Sequence, residues 1–299
     1  MDRRFSVGID VGGTKIAAGI VTFPSGELLE KRVRPTHPER GGRAVLDDVL
    51  ALARDLVRAA HRPIACIGLG VCELVDLCGN VTSGYTVAWR GLPVQAALSE
   101  IAPAIVESDV RAHARAEARF GAGRGYRDFV FVTLGTGISA CLVHDGVPYP
   151  GARGNALVLA TAPLTLVDET GRRTQQVLEE FASGPAIARR FGADRAEAVF
   201  EAAEAGNPRA IVILRTAGQA IGNSIGFLCN VLDPETVVIG GGLGGAGGVF
   251  WDELVAATRD HIWSDETRAL PIVRAMLGND AGVIGAAATA HERFAETQA

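Results

Sequence analysis

Two short turns combine glycine with threonine directly after an apolar run, and this combination suits phosphate binding. The first is Asp10-Val11-Gly12-Gly13-Thr14 and the second is Leu134-Gly135-Thr136-Gly137. Glycine lets backbone N–H groups approach a phosphate closely, and the threonine hydroxyl adds a donor without bulk. Asp10, at the end of the first run, suits Mg²⁺, which it would hold through water. Ordinary hairpin turns also use glycine, but the repetition of this pattern favours phosphate.

Three other nucleotide or nucleophile motifs are not favoured. Gly242-x-Gly244-x-x-Gly247 has the letters of a dinucleotide fingerprint, but too little chain follows it to complete a nicotinamide-binding unit. Gly222-x-Ser224-x-Gly226 has the letters of a hydrolase nucleophile elbow, but it lies inside a helical pattern. The P-loop sequence GxxxxGK followed by Ser or Thr does not occur.

The cysteines do not form a metal or disulfide pattern. The chain has 5 of them, none in a CxxC pair, and Cys141-x-x-His144 has no second pair to complete a zinc site. We therefore expect neither a structural zinc nor a disulfide framework, and a reducing cytoplasm is the expected location.

The elements that must position the turns alternate between strands and helices. Apolar β-type runs predict strands over 5–11, 16–23, 28–34, 64–71, 129–134, 138–144, 236–239 and 272–275. Helical periodicity covers 42–60, 110–120, 175–181, 184–190, 195–205, 208–232, 249–261 and 281–296. Asp145-Gly146 predicts a favoured hairpin turn. A strand–turn–strand unit opens each half, so we expect two related α/β lobes with mixed sheets. Phe250, Trp251 and Trp263 could lie in a core or an interface, and we favour the core.

Composition excludes several classes of protein. The 299 residues are 48% hydrophobic and carry a net charge of -5, which is unlike a disordered chain or one that binds nucleic acid without sequence preference. The most apolar stretch, 210–232, is interrupted by polar residues, so we expect no membrane span. The N-terminus reaches Asp10 without an apolar signal region, so we expect no secretory signal.

Six segments in order resemble the ROK family of sugar kinases and repressors, of the actin-like, hexokinase-type ATPase superfamily. They are GIDVGGTKIAAGIV at 8–21, ESDVRAHARAEARFGAGRG at 107–125, LGTGISACLVHDGVPYPGARGNA at 134–156, LEEFASGPAI at 178–187, LDPETVVIGGGL at 232–243 and LGNDAGVIGAA at 277–287. The resemblance implies an α/β, two-lobed actin-like (ribonuclease H-like) ATPase fold with mixed sheets and an interlobe cleft. It also implies a small lobe over 1–109, onto which helix 281–299 packs back, and a large lobe over 110–280.

The resemblance also implies an enzyme that transfers the γ-phosphate of ATP, with Mg²⁺, to a sugar hydroxyl. Asp109 falls at the position of the catalytic base, which accepts the proton of the attacking hydroxyl. Without the resemblance, Ser108 or Asp109 would simply cap the helix that follows. Asp10 would orient magnesium-bound water. The other expected nucleotide-binding residues are Gly12, Gly13, Thr14, Lys15, Thr136, Gly137, Gly241 and Gly242.

Departures from the family concentrate among the expected sugar ligands. Where relatives usually carry Glu-x-x-His after a GAxGxAG turn, the chain has Val158 and Thr161, and the cysteine-rich zinc motif is absent from 168–176. Ser108 and Thr86 stand where asparagine is usual, and Glu73 stands where glycine is usual. Glu179 keeps a sugar-contacting position. The expected substrate-binding residues are Glu73, Thr86, Ser108, Asp109, Val158, Thr161 and Glu179.

These departures argue against plain glucose, because a site built for particular hydroxyls discriminates strongly among ligands. The expected acceptor is an amino sugar, such as kanosamine, or a C7-cyclitol of the valiolone type, phosphorylated on a primary hydroxyl. A glucokinase-like hexose kinase and a non-catalytic sugar or nucleotide sensor remain alternatives. A repressor would need a DNA-binding segment before the first strand, which begins at about residue 5. Relatives often form dimers, so a homodimer is expected; no nucleic-acid or membrane partner is.

Overall fold

The computed structural model describes residues 5–167 and 169–296. Its strands are β1 (Phe5–Val11), β2 (Lys15–Thr22), β3 (Leu28–Pro35), β4 (Ile67–Val71), β5 (Ala104–Ser108), β6 (Phe129–Leu134), β7 (Ile138–His144), β8 (Val147–Pro148), β9 (Pro163–Val167), β10 (Arg173–Val177), β11 (Thr236–Gly240) and β12 (Ile272–Arg274). Three parts of the predictions lie outside the described residues: 1–4 of the expected small lobe, 297–299 of the helix expected to pack back on it, and residue 168 of the cysteine-free segment.

Helices surround these strands. They are α1 (Gly42–Ala59), α2 (Val94–Ser99), α3 (Asp109–Phe120), α4 (Leu178–Ala182), α5 (Gly184–Phe191), α6 (Ala196–Glu204), α7 (Pro208–Leu232), α8 (Gly248–His261), α9 (Asp265–Arg268) and α10 (Ala281–Glu296).

The two main sheets repeat one topology, as the two strand–turn–strand units predict. The strand order is β3-β2-β1-β4-β5 in the first sheet and β12-β11-β6-β7-β8 in the second. In the first, β1 is antiparallel to β2 and parallel to β4, and β4 is parallel to β5. In the second, β11 is parallel to both β6 and β12. The expectation of mixed sheets in two related α/β halves is confirmed.

The chain divides into two compact units, of which unit 1 comprises residues 5–125, 143–156 and 277–296. Helix α10 packs on β1, β4 and α3 of this unit. Glycines allow α10 to approach β4 and α3 very closely. A Cβ on Gly68 would lie 1.7 Å from the carbonyl oxygen of Ala286, and one on Gly285 would lie 1.8 Å from that of Ala112. Because α3 packs on α10, unit 1 extends past the lobe boundary expected at residue 109.

Unit 2 comprises residues 126–142 and 157–276 and has its own apolar core. Helix α7 is long and apolar enough to cross a membrane by length and composition alone. It nevertheless packs along α8, where a Cβ on Gly218 would lie 2.5 Å from the carbonyl oxygen of Phe250. These are the contacts of a core helix.

Three aromatic residues near α8 differ in burial. Phe250 is fully buried and Trp251 is half-buried, but Trp263 is 89% exposed. The expectation that Trp263 lies in the core is therefore wrong.

Of two local predictions, the turn at Asp145-Gly146 is confirmed and the helix over 175–181 is partly wrong. Asp145 and Gly146 have φ values of 50° and 74°, so the predicted turn with left-handed residues is confirmed. The predicted helix over 175–181 is partly wrong: β10 pairs antiparallel with β9 through Val177, and helix α4 begins only at Leu178.

Candidate active site

Two carboxylates of unit 1 lie side by side at the carboxyl ends of parallel strands. Asp10 is near the end of β1, and Asp109 begins α3 directly after β5. Gly70 of β4 pairs with Asp10. A Cβ on Gly70 would lie 3.6 Å from Asp10 Oδ1 and 3.7 Å from the Asp109 Cα. The glycine therefore leaves room for both acids at one edge of the sheet.

The surroundings of Asp109 shift its proton affinity. Burial raises the pKa of Asp109 to about 6; the charge of His113 opposes this shift, and the charges of Asp10 and Glu73 reinforce it. The N–H of Val110 donates to Asp109 Oδ1 over 2.6 Å, which favours the ionised form. A carboxylate with this pKa is ionised at neutral pH and can accept a proton from a hydroxyl.

His113 lies next to Asp109, and the sequence analysis did not identify it. Its Nδ1 lies 2.7 Å from the carbonyl oxygen of Asp109, one helical turn earlier. The four-residue spacing on a helix was the available signal.

Ser108 does not play the capping role that its position allows. It is the N-cap residue of α3, but its side chain makes no capping hydrogen bond. Its Oγ is buried and has no hydrogen-bond partner within the described structure. Since buried hydroxyls are nearly always hydrogen-bonded, this group next to Asp109 is suited to bind a polar ligand atom.

The first Gly/Thr turn is fixed by hydrogen bonds within unit 1. The N–H of Gly12 donates to the carbonyl of Lys15 over 3.0 Å. The side-chain hydroxyl of Thr36 donates to the carbonyl of Gly12 over 2.7 Å, and the N–H of Thr36 donates to the carbonyl of Thr14 over 3.0 Å. Thr14 and Lys15 are exposed and free of the core. This turn lies directly after Asp10 and can face a phosphate.

Glu73 is buried and its carboxylate faces a loop rather than open solvent. The Ser83 hydroxyl and the N–H of Tyr85 (2.9 Å) donate to Oε2. The N–H groups of Thr86 (2.6 Å) and Val87 (2.9 Å) donate to Oε1. This geometry differs from the expectation that Glu73 offers its carboxylate to an acceptor, because loop donors occupy both oxygens.

In unit 2 the second Gly/Thr turn lies next to the glycine-rich segment after β11. The N–H of Leu243 donates to the carbonyl of Leu134 over 2.9 Å. Gly241 has a φ of 82°, and a Cβ there would lie 2.2 Å from the same carbonyl oxygen. Gly135 and Gly242 also adjoin, since a Cβ on Gly135 would lie 3.9 Å from the Gly242 nitrogen. The expected nucleotide residues of this unit, 136, 137, 241 and 242, are thus brought together.

Glu179 reaches this turn from the start of α4. Its Oε2 accepts the N–H of Ile138 over 2.7 Å, and a Cβ on Gly137 would lie 2.8 Å from the same oxygen. One oxygen of the expected sugar ligand therefore supports the turn.

Val158 precedes and Thr161 ends a short 3-10 turn that leads into β9. Leu157 precedes Val158 with a φ of 60°, a strained conformation for a bulky residue. Val158 is 44% exposed, and Thr161 Oγ1 donates to its carbonyl over 3.0 Å. The N–H of Leu178 donates to the carbonyl of Ala162 over 2.9 Å, which ties the segment to α4.

Arg274, another residue that the sequence analysis missed, clamps the glycine-rich segment. Its guanidinium donates to the carbonyls of Gly245 (3.0 Å) and Ala246 (2.9 Å). The same group lies 4.2 Å from the centre of the Trp251 ring. Arg274 lies at the end of β12, but no sequence motif includes it, so the sequence did not single it out.

The carboxylate of Asp10 fits a hard cation held through water. Within residues 5–167 and 169–296, no group of three or more His, Cys, Asp or Glu side chains is arranged to hold a metal. Mg²⁺ fits such a sparse set, because it usually keeps several waters and binds through one or two carboxylates and a substrate phosphate.

Comparisons with known proteins agree with this geometry. The model of the ROK family matches residues 6–293. The glucokinase of Halalkalibacterium halodurans is 32% identical over 322 residues, covering 95% of this chain and 94% of that protein. The kanosamine kinase of Amycolatopsis mediterranei is 28% identical, with 97% of each chain covered. The crystal structure of a ROK glucokinase from Streptomyces griseus with glucose and AMPPNP has a TM-score of 0.82 at 26% identity, covering 96% of this chain and 99% of that one.

Proposed function

The chain belongs to the ROK family and is a carbohydrate kinase, and on this premise we propose that it phosphorylates a primary hydroxyl of an amino sugar or C7-cyclitol. The observation that carries the proposal is the half-buried carboxylate of Asp109, whose pKa is raised to about 6, beside Asp10 and the phosphate-type turn. ATP is the proposed donor, since a related structure holds AMPPNP.

Asp109 acts as the general base in the proposed reaction. Its carboxylate accepts the proton of the acceptor hydroxyl as that oxygen bonds to the γ-phosphorus of ATP and ADP leaves. Since phosphoryl transfer depends mostly on positioning and charge stabilisation, a carboxylate of modest basicity suffices. Asp10, through water, would hold Mg²⁺, which would neutralise phosphate charge when bound.

Backbone groups of the glycine-rich segments supply the proposed phosphate contacts. In unit 1 these are the N–H groups of the turn that contains Gly12, Gly13, Thr14 and Lys15. In unit 2 they come from the segments that contain Thr136, Gly137, Gly241 and Gly242. Successive N–H groups in such turns form concavities that bind anions.

The acceptor class is proposed from the residues near the expected sugar site. Ser108 offers a small buried hydroxyl beside Asp109, and Thr86 lies on the loop next to the first turn. Val158 and Thr161 cannot supply a carboxylate and an imidazole to the acceptor. The kanosamine kinase matches this chain over 97% of its length, which supports an amino sugar.

A hexose acceptor is the second candidate, because the glucokinase of Halalkalibacterium halodurans is 32% identical to this chain. The retained carboxylate of Glu179, which such an acceptor could use, favours it further.

An acceptor panel separates the two candidates. ADP formation is measured with glucose, kanosamine, other amino sugars and a valiolone-type cyclitol, and kcat/KM is compared. We expect an amino sugar or cyclitol to have the highest kcat/KM. Glucose as the best acceptor would overturn the acceptor proposal but leave the kinase intact, and the absence of acceptor-dependent ADP formation over the panel would overturn the kinase.

We further propose a cytoplasmic homodimer. Its support is that the 5 cysteines, all within the described residues, form no disulfide and that unit 2 exposes Phe227, Val231 and Trp263 near the end of α7. Sedimentation of the wild type and Trp263→Ser tests the dimer: the wild type should sediment as a dimer, and the variant should dissociate more readily.

A further inference from the structure

The loop over residues 83–87 is organised around one buried carboxylate. Four donors converge on Glu73, namely the hydroxyl of Ser83 and the N–H groups of Tyr85, Thr86 and Val87. The Ser83 hydroxyl also accepts the N–H of Leu74 over 2.8 Å, so the loop returns to the residue that follows Glu73.

Only a carboxylate satisfies this set of donors. An ionised carboxyl group is acceptor-only and has two oxygens, whereas a glutamine would turn an NH₂ donor towards N–H groups. Three N–H groups of successive residues aimed at one anion fix the backbone dihedral angles between them. The 83–87 loop thus takes its conformation from the carboxylate of Glu73 together with the buried side chain of Val87.

The same loop contacts the phosphate-type turn and lies near the catalytic base. A Cβ on Gly13 would lie 2.8 Å from the Thr86 methyl carbon, so Thr86 packs against that turn. Burial, followed by the charges of Asp109 and Glu73, raises the pKa of the Cys72 thiol to about 12, and a hydrogen bond with Thr86 opposes the shift. Cys72 therefore lies among Glu73, Thr86 and Asp109.

The far end of the loop is anchored separately. Trp89 is fully buried, and its Nε1–H donates to the carbonyl of Gly42 over 2.7 Å. Between Glu73 and Trp89, Tyr85 is 90% exposed. The loop is thus held at both ends while its tip faces solvent, where it can meet a ligand.

We propose that Glu73 is a positioning residue that fixes the 83–87 loop, and that this loop sets where the acceptor's reacting hydroxyl meets Asp109. The inference rests on the proposed kinase function. It assigns Glu73 no contact with the acceptor. The hydrogen bonds of the first Gly/Thr turn are made with Thr36 and Lys15 and not with Glu73, so we expect ATP binding to change little when Glu73 is replaced.

Steady-state kinetics of Glu73→Gln test the proposal. We expect the KM of the acceptor to rise about tenfold to a hundredfold, because a displacement of about 1 Å is costly in a positioned reaction. The KM of ATP should stay within about twofold, because the turn that binds phosphate keeps its own hydrogen bonds. The KM should rise by a similar factor for every acceptor that the wild type phosphorylates, whether or not the acceptor carries an amine.

Asp76→Asn is the matched control. Asp76 is an exposed carboxylate three residues further on, and it accepts the N–H groups of Cys78 and Asn80, each over 2.9 Å, in a neighbouring turn. Its replacement should leave both KM values unchanged. Ser83→Ala removes one donor and keeps the three backbone donors, so it gives a smaller rise in acceptor KM even if Glu73→Gln does not fold.

Several outcomes would overturn the inference. An unchanged acceptor KM in both Glu73→Gln and Ser83→Ala would remove the positioning role. A loss confined to acceptors with an amine would mean that Glu73 contacts the acceptor, and an equal rise in both KM values would mean a general disruption. Failure of the proposed function is distinguishable, because the wild type itself would then form no ADP in response to any acceptor.

Discussion

At the scale of single residues, the chemistry of Asp109 follows from what surrounds its carboxyl group. Burial disfavours the charged form, and the nearby charges of Asp10 and Glu73 act in the same direction. The N–H of Val110 and the charge of His113 limit the shift. The result is a base that is ionised at neutral pH but begins to take up a proton only slightly below it.

The activity should therefore depend on pH through Asp109. Because its pKa is raised to about 6, log(kcat/KM) should fall with a slope of about one below that pH and level off above it. Initial rates with saturating ATP over a pH series measure this profile. A profile that stays flat down to pH values near 4, the ordinary range of an aspartate, would contradict the assignment of the base.

Stability should also depend on Asp109, but it should be higher when the carboxyl group is protonated, whereas activity needs the ionised form. The folded pKa lies above the unfolded value, so folding favours the protonated acid, and the contribution of Asp109 to wild-type stability falls as pH rises from about 4 to about 6. Asp109→Asn does not titrate and should gain up to about 3 kcal/mol relative to the wild type over this range. Urea unfolding of both proteins at several pH values measures the difference.

Asp76→Asn serves as the control for that measurement. Hydrogen bonds with Asn80 lower the pKa of Asp76, so this variant should show no relative gain as pH rises. A relative stability of Asp109→Asn that does not change with pH would mean that burial does not shift the titration of Asp109.

Only part of the residue-scale account could be predicted from the sequence. Asp10, Asp109 and both Gly/Thr turns follow from motif and resemblance. The role of Glu73 could not, because its partners are mostly backbone N–H groups from 10 to 14 residues further along, which have no side-chain pattern. The lack of a capping bond from Ser108 was equally hidden, since serine at that position usually caps.

At the scale of elements, the position of the acids depends on how closely α10 approaches the first sheet. The helix backbone lies against Gly8 of β1 and Gly68 of β4, where a Cβ would come within 1.9 Å and 1.7 Å of its carbonyl oxygens. Asp10 is two residues after Gly8, and a Cβ on Gly282 would lie 2.3 Å from Asp10 Oδ2. The packing of one helix thus sets the place of the Asp10 carboxylate.

Gly68→Ala should be strongly destabilising. The added methyl group meets backbone that cannot move without shifting α10, so we expect a loss of at least about 3 kcal/mol. Thermal or urea unfolding measures it. Gly247→Ala is the control, because a Cβ there would have no atom within 4 Å. Equal stability of the two variants would contradict the close packing.

The hydrogen bonds of Arg274 to the second glycine-rich segment should affect the binding of ATP and not that of the acceptor. Arg274→Ala frees the carbonyls of Gly245 and Ala246, and we expect the KM of ATP to rise about tenfold, in line with the loss of charged hydrogen bonds. The KM of the acceptor should not change. Arg268→Ala is the matched control, since that arginine also donates to a backbone carbonyl, of Ile262, away from the segment.

Sequence periodicity predicted the β9–β10 hairpin poorly, and it did not predict β5. Residues 173–175 are exposed and polar, and such a strand has no apolar alternation to distinguish it from a helix start. Its identity comes from pairing with β9, which is a tertiary property. The long buried strands and α7, in contrast, have strong patterns, and their predicted bounds agree with the structure to within three residues.

At the scale of the whole molecule, the two main sheets share one topology but carry different residues around their turns. Each main sheet places a Gly/Thr turn between its two opening strands, after β1 in one case and after β6 in the other. In unit 1 the turn is accompanied by two carboxylates and the loop around Glu73. In unit 2 it is accompanied by a second glycine-rich segment and Arg274.

The most direct test of this account compares acceptor-dependent ADP formation by the wild type and Asp109→Asn, with nucleotide affinity measured on both by calorimetry. The account predicts that the variant loses at least about a hundredfold in kcat, the lower end of what a positioned general base contributes. Its affinity for ATP should stay within about twofold. A variant that keeps transfer within tenfold of the wild type, or that loses nucleotide binding together with transfer, would contradict the role of Asp109 as the base.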